Sequence, residues 1–418
     1  MRYWHHLLFS IIFLIPALVH GQPTNRVPKG LPIISGAERM EIYLQYLKGK
    51  RIAVFANQTS LVKNTQLVDT LIKRGINVAK IFGPEHGFRG NANAGEEVVN
   101  GIDQKSGLPV ISLYGEHKKP TKEDLKGVEI MVFDIQDVGV RFYTFISSLQ
   151  YYMEAALENH IPLLILDRPN PNGFYVDGPV LETKFKSFIG MQPIPIVYGM
   201  TIGEYALMLA GENWLSVEAN KINSFNIKTK PTADTPFHIL VIKCKNYDHD
   251  SRYILPVPPS PNLKEMQSVY LYPSTCFFEG TILSEGRGTE KPFQIFGHPS
   301  LPNTLFAFTP KPNAGAKNSK CFYQHCYGWN VSGTTDEILK MLNKKIVLNY
   351  FIDAYTLFKG KDSFFLKNNF IDKLTGSDNF KRQIIEGKTA EEIRDSWEPA
   401  LSDFKKIRKK YLLYKDFI

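Results

Sequence analysis

The sequence predicts an α/β fold on a mainly parallel sheet, followed by a smaller mixed α/β domain. Three observations carry this. Apolar runs in the first half lack polar alternation, as strands buried on both faces do. Stretches with apolar residues at helical spacing separate those runs, as crossover connections require. Finally, "LPVPPSPNLK" (255–264) is too rich in proline for strand or helix and divides the chain near residue 255.

The elements follow in order. "RIAVFA" (51–56) is a buried strand. "TQLVDTLIKRG" is a helix with Leu67, Leu71 and Ile72 on one side and Gly75 at its end. "NVAKIFG" (77–83) and "LPVISLYG" (108–115) are strands, and "TKEDLKG" (121–127) is a short helix capped by Thr121. "VEIMVFDI" (128–135) is a strand rich in β-formers. "FISSLQYYMEAALENH" is a long helix with Ile146, Leu149, Tyr152, Met153 and Leu157 on one face, and "IPLLILD" (161–167) is the next strand. "GMTIGEYALMLAGENW" starts a helix at the capping-box pair Thr201 and Glu204. "FNIKTK" (225–230) and "FHILVIKC" (237–244) complete the strands of the larger domain, residues 22–255. In the smaller one, 256–418, "TTDEILKMLNKK" is helical. So is "TAEEIRDSWEPALSDFKKIRKKY", capped by Thr389 and Glu392 and kinked or restarted at Pro399.

The chain has 418 residues, 43% hydrophobic and 22% charged, which supports a packed core and argues against disorder. Residues 1–21 read as a signal peptide: an early Arg2, an apolar run from Leu7 to Val19 broken by Pro16, then small residues. That run is short for a membrane span, and nothing later is long and apolar enough. The expectation is an exported, periplasmic protein without stable membrane insertion after cleavage. Export permits disulfides among Cys244, Cys276, Cys321 and Cys326. In "CFYQHC", two cysteines and the adjacent His325 are poor zinc spacing, which leaves a local disulfide or free thiols. The net charge of +9 peaks in "KKIRKKYLLYK" (405–415), read as a solvated helix face, since no nucleic-acid motif accompanies it.

Ligands of open α/β sheets bind outside the carboxyl ends of the strands. Here those ends carry Asn57; Glu85, His86 and Arg89; Asp134, Asp137, Arg141 and Tyr143; and Asp167, Arg168 and Asn170. If the strands are parallel neighbours, these groups share one rim. Glu85 sits in "GPEHGFRG", where Pro84 and Gly87 fix a turn and His86 or Arg89 can orient a carboxylate. The competing reading is an exposed Glu85–Arg89 ion pair, which leaves the glycine framing unexplained. Asp134 and Asp137 can instead cap the following segment, and Asp167 and Arg168 can pair to hold the Pro-Asn loop. "SEGRGTEKPF" with Glu279 and Arg287 is a second polar loop that either faces the rim or is structural. No G-x-G-x-x-G follows the first strand, no Walker lysine is present and no metal spacing such as H-E-x-x-H occurs, so neither cofactor nor metal is expected. An esterase or amidase lacks its G-x-S-x-G elbow.

"GPEHGFRG", "FDIQDVGVRFYTFI", "LDRPNPNG", "GMTIGE", "PPSPNL", "FEGTILSEGRGTEKPF" and "WEPALSDFKKIRKKYLLY" together resemble the exo-β-N-acetylmuramidase family, the NamZ-type peptidoglycan glycosidases, from about Ile52 to Tyr414. Tyr198 and His298 depart from the family pattern and receive no role. The resemblance implies a Rossmann-like domain joined to a smaller C-terminal one, with the active site in the cleft between. It implies release of N-acetylmuramic acid (MurNAc) from the non-reducing end of peptidoglycan-derived glycans, with Glu85 as catalytic acid. Asp134 or Asp137 is then the second group, unless the substrate's own acetamido group participates. Arg89, Arg141 and Arg287 are the candidates for the lactyl carboxylate of muramic acid, and Tyr143 can stack on or bond to the sugar. The alternative is an exported sugar-binding protein of the same fold without catalysis.

Overall fold

The computed structural model describes residues 30–90, 100–223, 227–228 and 237–417. The predicted signal peptide and most of "FNIKTK" lie outside them.

An eight-stranded sheet organises the first part of the chain. Its strands are β1 (Arg51–Ala56), β2 (Asn77–Gly83), β3 (Gly101–Ile102), β4 (Pro109–Ser112), β5 (Ile130–Asp134), β6 (Leu163–Leu166), β7 (Ile227–Lys228) and β8 (Ile239–Ile242). The spatial order is β3-β4-β2-β1-β5-β6-β8-β7. Every pairing is parallel except β3 with β4 at one edge. The predicted α/β class is the one observed.

Side-chain alternation sorts two apolar layers. Ile52, Val54, Ile130, Val132, Leu164 and Leu240 point into a smaller core with helices Met40–Leu47 and Leu67–Lys73. Ala53, Phe55, Met131, Phe133, Ile165 and Val241 point the other way, against helices Phe145–Glu158 and Ile202–Gly211. That second core continues into the C-terminal part through residues such as Phe277, Phe351 and Phe380. Each fully buried side chain of this size contributes roughly 1.5–3 kcal/mol, so the shared core holds the two parts together.

The C-terminal part adds a three-stranded antiparallel sheet: β9 (Ile295–His298), β10 (Phe306–Phe308) and β11 (Cys326–Asn330), with β11 central. Short helices follow. Thr334, Thr201 and Thr389 each close a capping box, and the last predicted helix is two, Ala390–Asp395 and Glu398–Lys409, restarting with Pro399 in its first turn. The short helix expected over 121–127 is instead a set of turns. The Thr121 carbonyl accepts from the Leu125 N–H, but Gly127 takes φ 71° and ends the segment before a helix can propagate. Lys405, Lys406, Lys409 and Lys410 of the basic cluster are exposed, as a solvated face requires. Arg408 is the exception: it is buried, donates to the Gly199 carbonyl and pairs with Asp416 at 2.7 Å.

Candidate active site

The turn after β2 presents Glu85. The Gly87 N–H donates to the Pro84 carbonyl at 2.9 Å, and His86, third in the turn, takes φ 70°. A left-handed histidine is uncommon, and such residues concentrate at functional sites. His86 is buried while Glu85 is partly exposed. The Thr144 hydroxyl donates to Glu85 Oε2 at 3.1 Å. Thr144 sits at the N-cap of helix Phe145–Glu158 and makes no side-chain cap there, so its hydroxyl serves Glu85. Tyr114 also hydrogen-bonds Glu85; burial, then this carboxylate, push the phenol up.

These groups open into a cavity of about 800 Å³. One wall comes from the sheet's carboxyl rim: Glu85, His86, Tyr114, Tyr143, Thr144 and Phe188. The other comes from the C-terminal part: Glu279, Glu285, Arg287, Phe293, the loop 315–320 and Asn368. Tyr143 is 8% exposed and donates to the Pro259 carbonyl at 2.9 Å, while its ring packs edge-on to Phe145 and Tyr272.

A charge ladder lines the second wall. Arg287 donates from Nη2 to Glu279 at 2.6 Å and from Nε reaches Glu285 at 3.2 Å. Lys320 reaches the other Glu285 oxygen at 2.8 Å and donates to the Phe278 and Thr281 carbonyls. Against the cost of burial, Lys320 and Arg287 hold the Glu285 carboxyl below its usual range.

The cavity therefore gathers Glu85, His86, Tyr143, Glu279 and Arg287 from the residues singled out in the sequence. The remaining ones do not line it, and each has a structural occupation. Asp134, expected as a second catalytic group, is fully buried in a bidentate pair with Arg168, Nε–Oδ1 2.6 Å and Nη2–Oδ2 2.8 Å. Burial pushes the Asp134 carboxyl up against the pull of Arg168, and the bidentate geometry keeps the two as an ion pair. Arg168 also donates to the Leu61 carbonyl. Asp137, the other expected partner, accepts from the Tyr198 hydroxyl at 2.5 Å and the Gly139 N–H at 2.6 Å. Burial pushes its carboxyl up to about 7. Tyr198 is thus a buried support for Asp137.

Asp167 anchors the start of helix Ile202–Gly211, accepting from the Thr201 hydroxyl at 2.8 Å and the Gly203 N–H at 2.8 Å, and it also accepts from Tyr414 at 2.5 Å. Asn57 closes its own turn by accepting from the Thr59 N–H at 2.9 Å. Asn170 donates to the Met200 carbonyl and accepts from the Asn172 N–H, both at 2.8 Å. Arg141, proposed for a carboxylate, is fully buried and donates to the carbonyls of Pro179, Ile194 and Leu374; burial lowers it to about 9. Arg89 lies beside a separate hollow of about 420 Å³, paired with Asp103 at 2.7 Å. Of the three arginines considered for a lactyl carboxylate, Arg287 alone lines the larger cavity.

Tyr114, which follows β4 as Glu85 follows β2, joins the site although no motif in the sequence marks it. The 315–320 loop carried no signal beyond loop composition. Among the described residues no three His, Cys, Asp or Glu side chains gather as a metal site. All four cysteines are free.

Family models cover nearly all of this architecture. The N-terminal model of exo-β-N-acetylmuramidase NamZ matches residues 52–267, and the C-terminal model matches residues 270–414. The chain belongs to the NamZ family. It is a glycoside hydrolase. It is 40% identical over 393 residues, 89% of each chain, to peptidoglycan β-N-acetylmuramidase NamZ of Bacillus subtilis strain 168. It is also similar to the crystal structure of a DUF1343 family protein from Bacteroides fragilis NCTC 9343, with 45% identity and TM-score 0.81 over 92% of this chain and 100% of that one. A second DUF1343 protein of that strain matches with 29% identity and TM-score 0.74 over 92% and 99%.

Proposed function

We propose that the chain is an exo-acting β-N-acetylmuramidase that releases MurNAc from the non-reducing end of peptidoglycan fragments, with Glu85 as general acid. The single observation that carries this is the placement of Glu85 on a left-handed turn at the rim of the large cavity. Its carboxyl oxygen is oriented there by the Thr144 hydroxyl. Glycoside hydrolysis needs a carboxylic acid beside the leaving oxygen, and breaking the C1–O bond transfers that proton as positive charge develops at the anomeric carbon. Aromatic groups on both walls, Tyr114, Phe188 and Phe370 among them, offer apolar faces to a sugar ring. Arg287, Lys317 and Lys320 put positive charge on the wall where the lactyl carboxylate is to be held. The N-terminal apolar run makes this an exported, periplasmic enzyme of cell-wall turnover, and fractionation with detection of the cleaved N-terminus tests that point. A chromogenic β-MurNAc glycoside tests the activity. The expected result is release of the chromophore by the wild-type chain, with little release from the β-GlcNAc glycoside. No release would leave a sugar-binding protein of the same fold.

A further inference from the structure

We infer that Glu279 is the second catalytic carboxylate, the group that faces the positive charge developing at the anomeric carbon while Glu85 protonates the leaving oxygen. This deepens the exo-muramidase reading and rests on it.

The carboxylates expected for that role, Asp134 and Asp137, do not line the cavity: Asp134 is paired at both oxygens with Arg168, and Asp137 is buried with its Oδ2 taken by Tyr198 and the Gly139 N–H. Among the described residues, three glutamates line the cavity: Glu85, Glu279 and Glu285. Glu285 is occupied at both oxygens, by Arg287 and by Lys320, and its side chain is only 4% exposed. Glu279 differs. Its Oε1 is held by Arg287 at 2.6 Å, and among the described residues its Oε2 makes no hydrogen bond. Its side chain is 21% exposed. One oxygen is therefore fixed, and the other is left for whatever enters the cavity.

The backbone that carries Glu279 is immobilised from several directions. It belongs to the 3₁₀ turn Cys276–Gly280, which continues helix Met266–Thr275. A Cβ at Gly280 would sit 2.7 Å from Ile371 Cα, so this turn is packed directly on helix Phe370–Thr375. The Leu366 N–H donates to the Gly280 carbonyl, and the Lys320 ammonium donates to the carbonyls of Phe278 and Thr281 on either side. The neighbouring Phe278 ring stacks on Phe296 at 4.3 Å. Arg287, with Phe293 5.1 Å beneath its guanidinium, completes the support. A charge fixed before substrate arrives needs no reorganisation during the reaction, which is the condition for strong electrostatic stabilisation.

The test uses full-length Glu279→Gln and Glu279→Ala with two substrates, 4-nitrophenyl β-MurNAc and a MurNAc–GlcNAc disaccharide, with Glu85→Gln measured in parallel. The expected result is a loss in kcat on the order of 10³-fold for the Glu279 variants on both substrates, with KM changed only a few-fold. Added formate, but not neutral formamide, should restore part of the Glu279→Ala turnover. The acid variant Glu85→Gln should instead lose far more on the disaccharide than on the nitrophenyl glycoside, whose leaving group needs little protonation. If Glu279→Ala does not fold, the near-isosteric Glu279→Gln decides, with its thermal midpoint measured alongside. Retention of more than a tenth of wild-type kcat by Glu279→Gln overturns the assignment. So does a loss confined to KM, or one that formate does not relieve. Failure of the wild type to release MurNAc from either substrate refutes the underlying exo-muramidase reading instead, and the role of Glu279 falls with it.

Discussion

Replacing Asp134 by Ala separates support of the site from chemistry within it. The carboxylate is fully buried, and both its oxygens receive Arg168 at 2.6 and 2.8 Å. Its loss leaves a buried guanidinium with the Leu61 carbonyl as a remaining acceptor. Breaking a buried pair on one side costs about 3–5 kcal/mol, because the surviving charge is stranded. Because the larger core runs from the sheet into the C-terminal part, the two parts unfold together, and an unfolding entropy of ~0.8 kcal/mol/K converts this to a drop of ~4–6 °C in Tm. Differential scanning calorimetry reads that shift, and MurNAc release at a temperature where the variant stays folded reads its turnover. The expected outcome is a large loss of Tm with kcat within a few-fold of wild type. Asp134→Leu with Arg168→Met should recover most of the stability, since an apolar replacement of the whole pair is often close to neutral. An unchanged Tm, or a loss of kcat in the folded variant as large as that of Glu85→Gln, would refute this division of labour.

Two further outcomes follow from the electrostatics. Burial raises the Asp137 carboxyl to about 7, against an unfolded value of ~3.9, so the folded chain holds this proton where the unfolded one has lost it. Stability should therefore fall as pH rises from ~4 to ~7, by up to 2–4 kcal/mol from this group. Urea unfolding of Asp137→Asn should show that part of the slope removed, and parallel profiles would count against the assignment. Arg89 holds the Asp103 carboxyl down to about 2, so the pair's contribution of about 1 kcal/mol is present above ~4 and lost as pH falls toward 2. Arg89→Ala should unfold more readily at pH 5 yet keep its kcat within about two-fold, because Arg89 lines a different hollow from Glu85. A strong loss of turnover would contradict that placement.

The sheet was legible because its strands are buried on both faces, which leaves unbroken runs such as "RIAVFA" and "LLIL". The shared rim was legible for the same reason, and the turn after β2 delivered Glu85 and His86 to the cavity. Which rim residues would face a ligand was not legible. Loops packed over a sheet end contain buried N–H and carbonyl groups that need partners. Asp137, Asp167, Asn57 and Asn170 satisfy those groups, and in sequence they look like ligand-facing residues. The reversal of strand order lies between β1 and β5, where the crevice rule points. There the Ser60 hydroxyl donates to the Asp134 carbonyl and Arg168 pairs with the Asp134 carboxylate. The cavity instead lies toward β2 and β4. The C-terminal wall depends on tertiary contact: no local pattern announces that the loop 315–320 sits beside a turn more than two hundred residues earlier.

Glu85 as proton donor is tested most directly by one comparison: kcat/KM of wild type and Glu85→Gln on a MurNAc–GlcNAc disaccharide, with both thermal midpoints measured. The expected result is a loss of roughly 10²–10⁴-fold in a variant that folds and melts like the wild type. A Glu85→Gln chain that releases MurNAc at the wild-type rate would contradict it.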